Sequence, residues 1–108
     1  MKDGCYAMRF SADGYRGKGR FDLQDNRGEG RDDQFSIQGH LVEQGNNLTA
    51  IFNVLISPAV TGNSRLPDHY SLTMSGTSNG NSFMLIGVGP LGVIVDIDCT
   101  WIAAPETN

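Results

Sequence analysis

A glycine-rich hexapeptide is the closest match in this sequence to a nucleotide-binding motif. Gly87-Val88-Gly89-Pro90-Leu91-Gly92 fits the pattern G-x-G-x-x-G letter for letter. That motif requires a strand before it and a helix after it, because the helix N-terminus receives the pyrophosphate. Here the alternating run Val93–Ile97 follows, and it predicts a second strand. We therefore interpret the hexapeptide as a hairpin turn.

Two carboxylates and two histidines are the remaining residues that could do chemistry. Asp96 and Asp98 would lie on one face of a strand, about 7 Å apart, where a pair could act as general acid and base. We interpret them instead as part of a solvated outer face. His40 and His69 lack the further ligands, at recognisable spacing, that a metal site needs. We predict no catalytic residue, no cofactor and no metal site.

The two cysteines, Cys5 and Cys99, lie near opposite ends of the sequence. In a closed meander the first and last strands pair, which could bring them together. Alternation argues against a disulfide, because Cys99 shares a face with Trp101 whereas Cys5 lies on the face opposite Tyr6. If the large residues of both strands point inward, the sulfur atoms lie on opposite sides of the sheet. We therefore predict free thiols.

Length and charge limit the classes of function. The 108 residues fit one domain, which we place at residues 1–104 with a flexible tail at 105–108. The net charge of −4 does not suit a nucleic-acid binder, and carboxylates interleave the arginines between Arg9 and Arg31. The opening residues contain no apolar stretch typical of a signal peptide or membrane anchor. A cytoplasmic protein without direct nucleic-acid or membrane contact is expected.

Alternation of period two dominates the chain, and no helical period persists over three turns. The clearest strand segments are Cys5–Phe10, Gly17–Leu23, Gln34–Val42, Leu48–Ile56, Tyr70–Gly76, Ser82–Val88 and Val93–Trp101. Glycine- and asparagine-containing turns separate most of them, which predicts hairpins. Because each strand has one apolar face, the sheet must close into a barrel or form a sandwich. We predict an all-β, antiparallel up-and-down barrel of about eight strands, since closure removes exposed edges.

Successive side chains of a strand point to opposite faces of the sheet, so the position of a residue in its strand predicts whether its side chain points into the barrel or outward. We call this position the parity of the residue. Inward parity assigns four large side chains to the interior, as plain packing or as the lining of a ligand cavity: Phe52, Met74, Phe83 and Trp101. Outward parity leaves six apolar residues on the surface: Ile51, Leu55, Met84, Ile86, Val88 and Ile94. Because the last two strands are hairpin neighbours, Met84, Ile86 and Ile94 should touch. A contiguous exposed apolar patch marks an interface, which predicts a homodimer. The alternative is that the long segment Pro58–Asp68 covers the patch.

Several motifs along the chain occur in the order and spacing of a known family. The opening MKDGCYAMRF resembles M-K-D-G-x-Y-x-x-x-F, and Gly45–Ala50 is similar to G-x-x-L-T-A. Further matching positions are Gly17-Lys18-Gly19 with Phe21 and Leu23, then Asp32, Phe35, Ile37 and Gly39, and finally Tyr70–Gly76. Over nearly its whole length the chain resembles the bacterial GrlR-like family, named for negative regulators of type III secretion.

The resemblance implies a lipocalin-like β-barrel that dimerises and, for the best-known members, inhibits a transcriptional activator by direct contact. The sequence departs from the family at Arg27–Arg31, where a charged segment replaces the usual apolar third strand. That strand is expected to be short or absent. The exposed run of alternating Glu and Asp associated with the family's regulators is also missing, and Asp32-Asp33 is the nearest equivalent.

Two binding functions therefore stay open, and no feature of the sequence supports an enzyme. The first is a regulator whose loops Arg27–Asp33 and Pro58–Asp68 contact a protein partner. Its candidate contact residues are Glu29, Arg31, Asp32 and Asp33. The second is a carrier or sensor of a small hydrophobic ligand that occupies the barrel interior.

Overall fold

Eight antiparallel strands account for most of the structure. It is a computed structural model that describes residues 1–12, 14–56 and 67–105. The strands, numbered in chain order, are β1 (Gly4–Ala12), β2 (Tyr15–Gln24), β3 (Arg27–Arg31), β4 (Phe35–Gln44), β5 (Asn47–Ile56), β6 (His69–Asn79), β7 (Ser82–Val88) and β8 (Ile94–Ala103). A 3-10 turn, Pro90–Gly92, lies between β7 and β8. Pro105 is exposed and follows the last strand, and the rest of the predicted tail lies outside the described residues.

The strands close into one barrel in which neighbours in the chain are neighbours in the sheet. β1 completes the ring by pairing with β8, where Met8 lies opposite Cys99 and Phe10 opposite Ile97. The all-β up-and-down barrel predicted from alternation is confirmed, with eight strands. Its cross-section is flattened, since the principal extents are 37 × 30 × 17 Å. The two broad outer faces are consequently the largest surfaces that the protein offers to a partner.

Alternation determines which side chains fill the barrel. In β5 every second residue from Leu48 to Ile56 is buried, and the residues between them are exposed. Aromatic rings occupy the middle of the interior. Phe21 packs edge to face on Phe83 and Phe52, with ring centroids 5.6 Å and 6.1 Å apart, and Tyr6 packs on Phe83 at 5.0 Å. The interior is therefore a packed core around these rings.

The third strand is present and short, which is one of the two outcomes that the sequence led us to expect. With five residues it is the shortest of the described strands, and it pairs with both neighbours throughout. Its inward positions are Gly28 and Gly30. A Cβ atom on Gly28 would overlap Cζ of Phe21, and one on Gly30 would lie 2.7 Å from Sδ of Met8. The strand needs no apolar side chains of its own, because side chains from β1 and β2 fill the space that it faces.

The cysteines lie on opposite sides of the sheet, as their parity predicts. Cys99 faces the interior, on the side of Met8, whereas Cys5 lies opposite Asp22, whose side chain is exposed. Neither cysteine is part of a disulfide, and both are buried. Burial raises the pKa of the Cys99 thiol well above its ordinary value, and the nearby Asp98 carboxylate adds to the effect. Cys99 is thus an unreactive part of the core.

Candidate binding interface

The outer side of the barrel exposes the apolar side chains that parity assigned to the surface. Each is between 52% and 62% exposed. They are Ile51, Leu55, Met84, Ile86, Val88 and Ile94. Single exposed apolar residues are common on soluble proteins. These residues face outward from β5, β7 and β8, so their mutual arrangement decides whether they form a patch.

One cross-strand row forms the centre of this patch. Ile51 lies opposite Thr73, and Val88 lies opposite Ile94. The β6–β7 ladder ends with Met74 opposite Gly87, and Thr73 and Val88 are the next residues of the two strands, so the row continues across four strands. A shallow groove runs over the row and the positions next to it. We call its main lining residues the apolar face: Ile51, Thr73, Ser75, Ile86, Val88 and Ile94.

The register of the hairpin does not place Met84, Ile86 and Ile94 directly opposite one another, so the contact expected among all three stays a prediction. In the β7–β8 ladder the direct neighbour of Ile94 is Val88, while Ile86 lies opposite Asp96 and Met84 lies further along the ladder. The reason is the connection between the two strands, residues 89–93, which sets the register of the hairpin. Met84 is therefore at the border of the apolar face rather than at its centre.

Leu55 and Val42 lie on either side of the patch. Leu55 is opposite Ser36 on β4 and His69 on β6, so its surroundings are polar. Val42 is 53% exposed and lies opposite Thr49, in the row that leads to Ile86. Sequence analysis did not single out Val42, because it is one apolar residue on the polar side of its own strand.

The structure divides the predicted contact loop Arg27–Asp33. Glu29 and Arg31 belong to β3 and point outward, so the prediction of a loop is wrong over residues 27–31. The sequence pattern did not predict this strand, because glycines alternate with charged residues over residues 27–31. The apolar side chains that pack against the strand come from other strands. Asp32 and Asp33 lie in the connection to β4. The other predicted contact segment, Pro58–Asp68, lies outside the described residues except for residues 67 and 68.

Asp32 has a structural role in that connection. One carboxylate oxygen accepts backbone hydrogen bonds from Gln34 and Phe35, at 2.6 Å and 2.9 Å. The other accepts a hydrogen bond of 2.9 Å from the Tyr15 hydroxyl. Burial, together with this bond to Asp32, raises the pKa of Tyr15 to about 12. Of the four predicted contact residues, Asp32 is the one committed to holding a turn.

A group of cations that sequence analysis did not single out covers the outer side of β1, β2 and β3. Arg9 lies opposite Lys18, and Arg20 lies opposite Arg31. Arg16 is the next outward residue on β2, and all five side chains are exposed. We call these five residues the cationic face. Along the chain acids interleave the arginines, but period-two alternation and cross-strand pairing bring the cations together. The detectable signal is the spacing of Arg16, Lys18 and Arg20 on one strand.

The candidate interior residues divide into two groups. Phe52, Met74 and Phe83 point into the barrel and are at most 2% exposed. Trp101 lies at one end of the barrel and is partly buried, and its Nε1–H donates a 3.2 Å hydrogen bond to the carbonyl of Asp3. The indole therefore ties the N-terminal residues to β8 rather than lining the centre.

A polar cluster lies on the N-terminal residues, β4 and β6. Both carboxylate oxygens of Glu43 are 2.9 Å from the N-terminal ammonium of Met1. The hydroxyl of Ser78, which is buried, donates a 2.5 Å hydrogen bond to Glu43. The Ser78 hydrogen bond and the ammonium together lower the pKa of Glu43 below its usual range. This cluster satisfies the polar groups where the chain begins β1.

The remaining residues with chemical potential have structural surroundings. The hexapeptide Gly87–Gly92 comprises the end of β7 and the turn that leads to β8, so its interpretation as a hairpin is confirmed. Asp96 and Asp98 are exposed on β8, and Asp96 accepts a 3.4 Å hydrogen bond from Ser11. Within residues 1–12, 14–56 and 67–105, no three His, Cys, Asp or Glu side chains are grouped so that they could hold a metal ion. The outer faces are the features of this barrel that best fit a functional site.

No protein-family model and no curated protein matches the sequence. The GrlR-like resemblance therefore stays a prediction that rests on the motifs alone. Across the part of the chain that the structure describes, no helix has the length and apolar character needed to cross a membrane.

Proposed function

We propose that this protein is a non-enzymatic, cytoplasmic binding protein that works as a homodimer and regulates a protein partner by contact. The observation that carries the proposal is the apolar face, where exposed isoleucine and valine side chains from three strands surround a row of hydroxyl groups. Exposed apolar side chains that are grouped in this way mark an interaction site, whereas single ones do not.

A second copy of the chain is the proposed occupant of the apolar face. Ile51 and Val88 are each 62% exposed, and burying the rest of one such side chain contributes about 1 kcal/mol. Flat faces with β-branched side chains also pack well on each other, as in sheet-on-sheet cores. A two-fold interface uses the same patch on both subunits, so one substitution appears in it twice.

Sedimentation velocity at micromolar concentration tests the dimer. The wild type should sediment as a dimer, and Ile94→Glu should sediment as a monomer, because each interface would bury two unpaired carboxylates. Ile102→Glu is the matched control, since Ile102 is 58% exposed on the same strand about 26 Å away. A monomeric wild type would refute the dimer, and so would equal effects of the two substitutions.

More specifically, we propose that the protein is a negative regulator that inhibits a transcriptional activator by direct contact. The support for this role is the family resemblance. Affinity purification of the tagged protein from its own host, followed by mass spectrometry, should recover an activator. The protein should then lower transcription from that activator's reporter. A reporter that stays fully active, although the activator is bound, would contradict the regulatory role and leave the binding function standing.

Carrying a small hydrophobic ligand is the alternative function that we predict. It requires room in the interior, and the edge-to-face contacts among Phe21, Phe52 and Phe83 occupy the centre. Native mass spectrometry of gently purified protein separates the two functions. An added small-molecule mass on the protein would favour the carrier, whereas a dimer without added mass would favour the regulator.

A further inference from the structure

The cationic face combines like charges in a way that the fold itself does not require. The directly opposed pairs Arg9–Lys18 and Arg20–Arg31 each place two positive charges on adjacent strands. Like charges in such positions destabilise an antiparallel pair. Violations of a local rule concentrate at functional sites, where another gain offsets the cost. In a chain with a net charge of −4 and eight lysines and arginines in all, grouping five of them here is a marked separation of charge.

Four of these five cations lack an anionic partner within the described part of the chain. Arg20 pairs with Asp22 at 3.0 Å, and both side chains are about half exposed. Arg9, Arg16, Lys18 and Arg31 make no ion pair with any other described residue. No carboxylate among the described residues neutralises these four charges.

Carboxylates border the cationic face. Asp22 and Glu29 lie opposite each other in the next row of β2 and β3, and Asp98 lies opposite Arg9 on the β8 side. Three strands and the distance from Arg16 to Arg20 give a patch of about 10 by 13 Å. A duplex or a membrane surface would extend past this border and meet the carboxylates, whereas a short acidic segment would fit within it.

We infer that the cationic face binds a short acidic segment of a protein partner. The inference rests on the proposed binding function and specifies the chemistry of the partner. Recognition runs through side chains, because both edges of β1, β2 and β3 are already paired within the closed barrel. Carboxylates of the segment would lie between the opposed cations and relieve their mutual repulsion. The face is separate from the apolar face, so a dimer could carry two such sites.

Fluorescence anisotropy with a labelled octaglutamate peptide at low ionic strength tests this inference. An octaglutamine peptide of the same design is the probe control. Lys18→Glu should weaken octaglutamate binding about fivefold to tenfold, because it replaces an attraction with a repulsion. Arg27→Glu is the matched protein control: it makes the same change of charge on the same outer side, beyond the row of Asp22 and Glu29. It should weaken binding less than twofold.

Thermal unfolding supplies a second readout without any ligand. Lys18→Glu should raise the unfolding midpoint, since Arg9 then faces an opposite charge. Wild-type protein that fails to bind octaglutamate, or equal losses in the two variants, would overturn the inference. Tighter binding of a DNA duplex or of phosphatidylserine vesicles than of the peptide would also overturn it, in favour of another polyanion. If the peptide fails while the activator is still captured, this inference falls and the proposed function stands.

Discussion

Gly28 gives the most direct test of how the barrel interior is filled. In Gly28→Ala the new methyl group would overlap Cζ of Phe21 and lie 2.7 Å from its Cε1 and 3.1 Å from Cδ1 of Leu41. The Phe21 ring cannot easily move aside, because Phe52 and Phe83 pack on it. Overpacking of this kind costs about 1–3 kcal/mol. Alanine would otherwise be better than glycine in a strand by about 0.5–1 kcal/mol, so the sign of the effect is informative.

Urea denaturation followed by circular dichroism, at one fixed protein concentration, measures the free energy of unfolding. Gly28→Ala should be destabilised by about 1–3 kcal/mol. Gly30→Ala is the control on the same face of β3. Its Cβ would lie 2.7 Å and 2.8 Å from Sδ and Cε of Met8, which can move, and 2.9 Å from Cδ2 of Phe21, a milder overlap with the ring than at Gly28, so its cost should be smaller. In a Phe21→Leu background the penalty of Gly28→Ala should largely disappear, which a double-mutant cycle reports as coupling.

An unchanged or higher stability of Gly28→Ala with Phe21 intact would refute the steric explanation of the third strand. An equal penalty with and without Phe21 would show that the alanine meets some other obstacle. In either case a physical cause other than the Phe21 ring would have to account for the glycines of β3.

Three further predictions concern other parts of the barrel. Because the folded pKa of Glu43 is lowered, its stabilising contribution is present above the unfolded value near 4.5 and is lost as pH falls through the folded value. Glu43→Gln should therefore lower the thermal midpoint at neutral pH and approach the wild type in acid, and parallel pH profiles would contradict this. Met74→Trp should cost about 1–3 kcal/mol in urea denaturation because the interior is packed, whereas a neutral effect would indicate spare volume. Cys99 should not react with Ellman's reagent in native protein and should react after unfolding, and rapid native labelling of Cys99 in a Cys5→Ser variant would contradict its burial.

The strand faces could be predicted from the sequence because alternation is a local property. The burial of Phe52 and the exposure of Ile51 both follow from the position of each residue within its own strand. The same reasoning gave the closed barrel, since every predicted strand had one face to bury. It failed at β3, where the apolar partner of Gly28 is a phenylalanine on a different strand.

The binding surfaces could be predicted only in part, because they depend on register between strands. Parity showed that Ile86 and Ile94 are exposed, but the hairpin connection decided that Val88 is the neighbour of Ile94. The cationic face could not be predicted from one strand at a time. Arg9 on β1 and Arg31 on β3 come to lie beside the cations of β2 only through cross-strand pairing. In the sequence, acidic residues lie between these cations, so the charges seem to cancel. Only in the folded barrel are the positive and negative charges separated.

The pairing of β1 with β8 also has a consequence for how the barrel forms and opens. Within the described residues, the other strand pairings join strands that are consecutive in the chain, and β1–β8 alone joins its two ends. Closing a loop of that length costs about 4 kcal/mol of chain entropy, more than any single hairpin turn. The seam between these strands is therefore expected to close late in folding and to open first, with the fastest hydrogen exchange among the strand amides. An opened seam exposes two unpaired edges, where another chain's β1 can replace its own and exchange the strand between subunits.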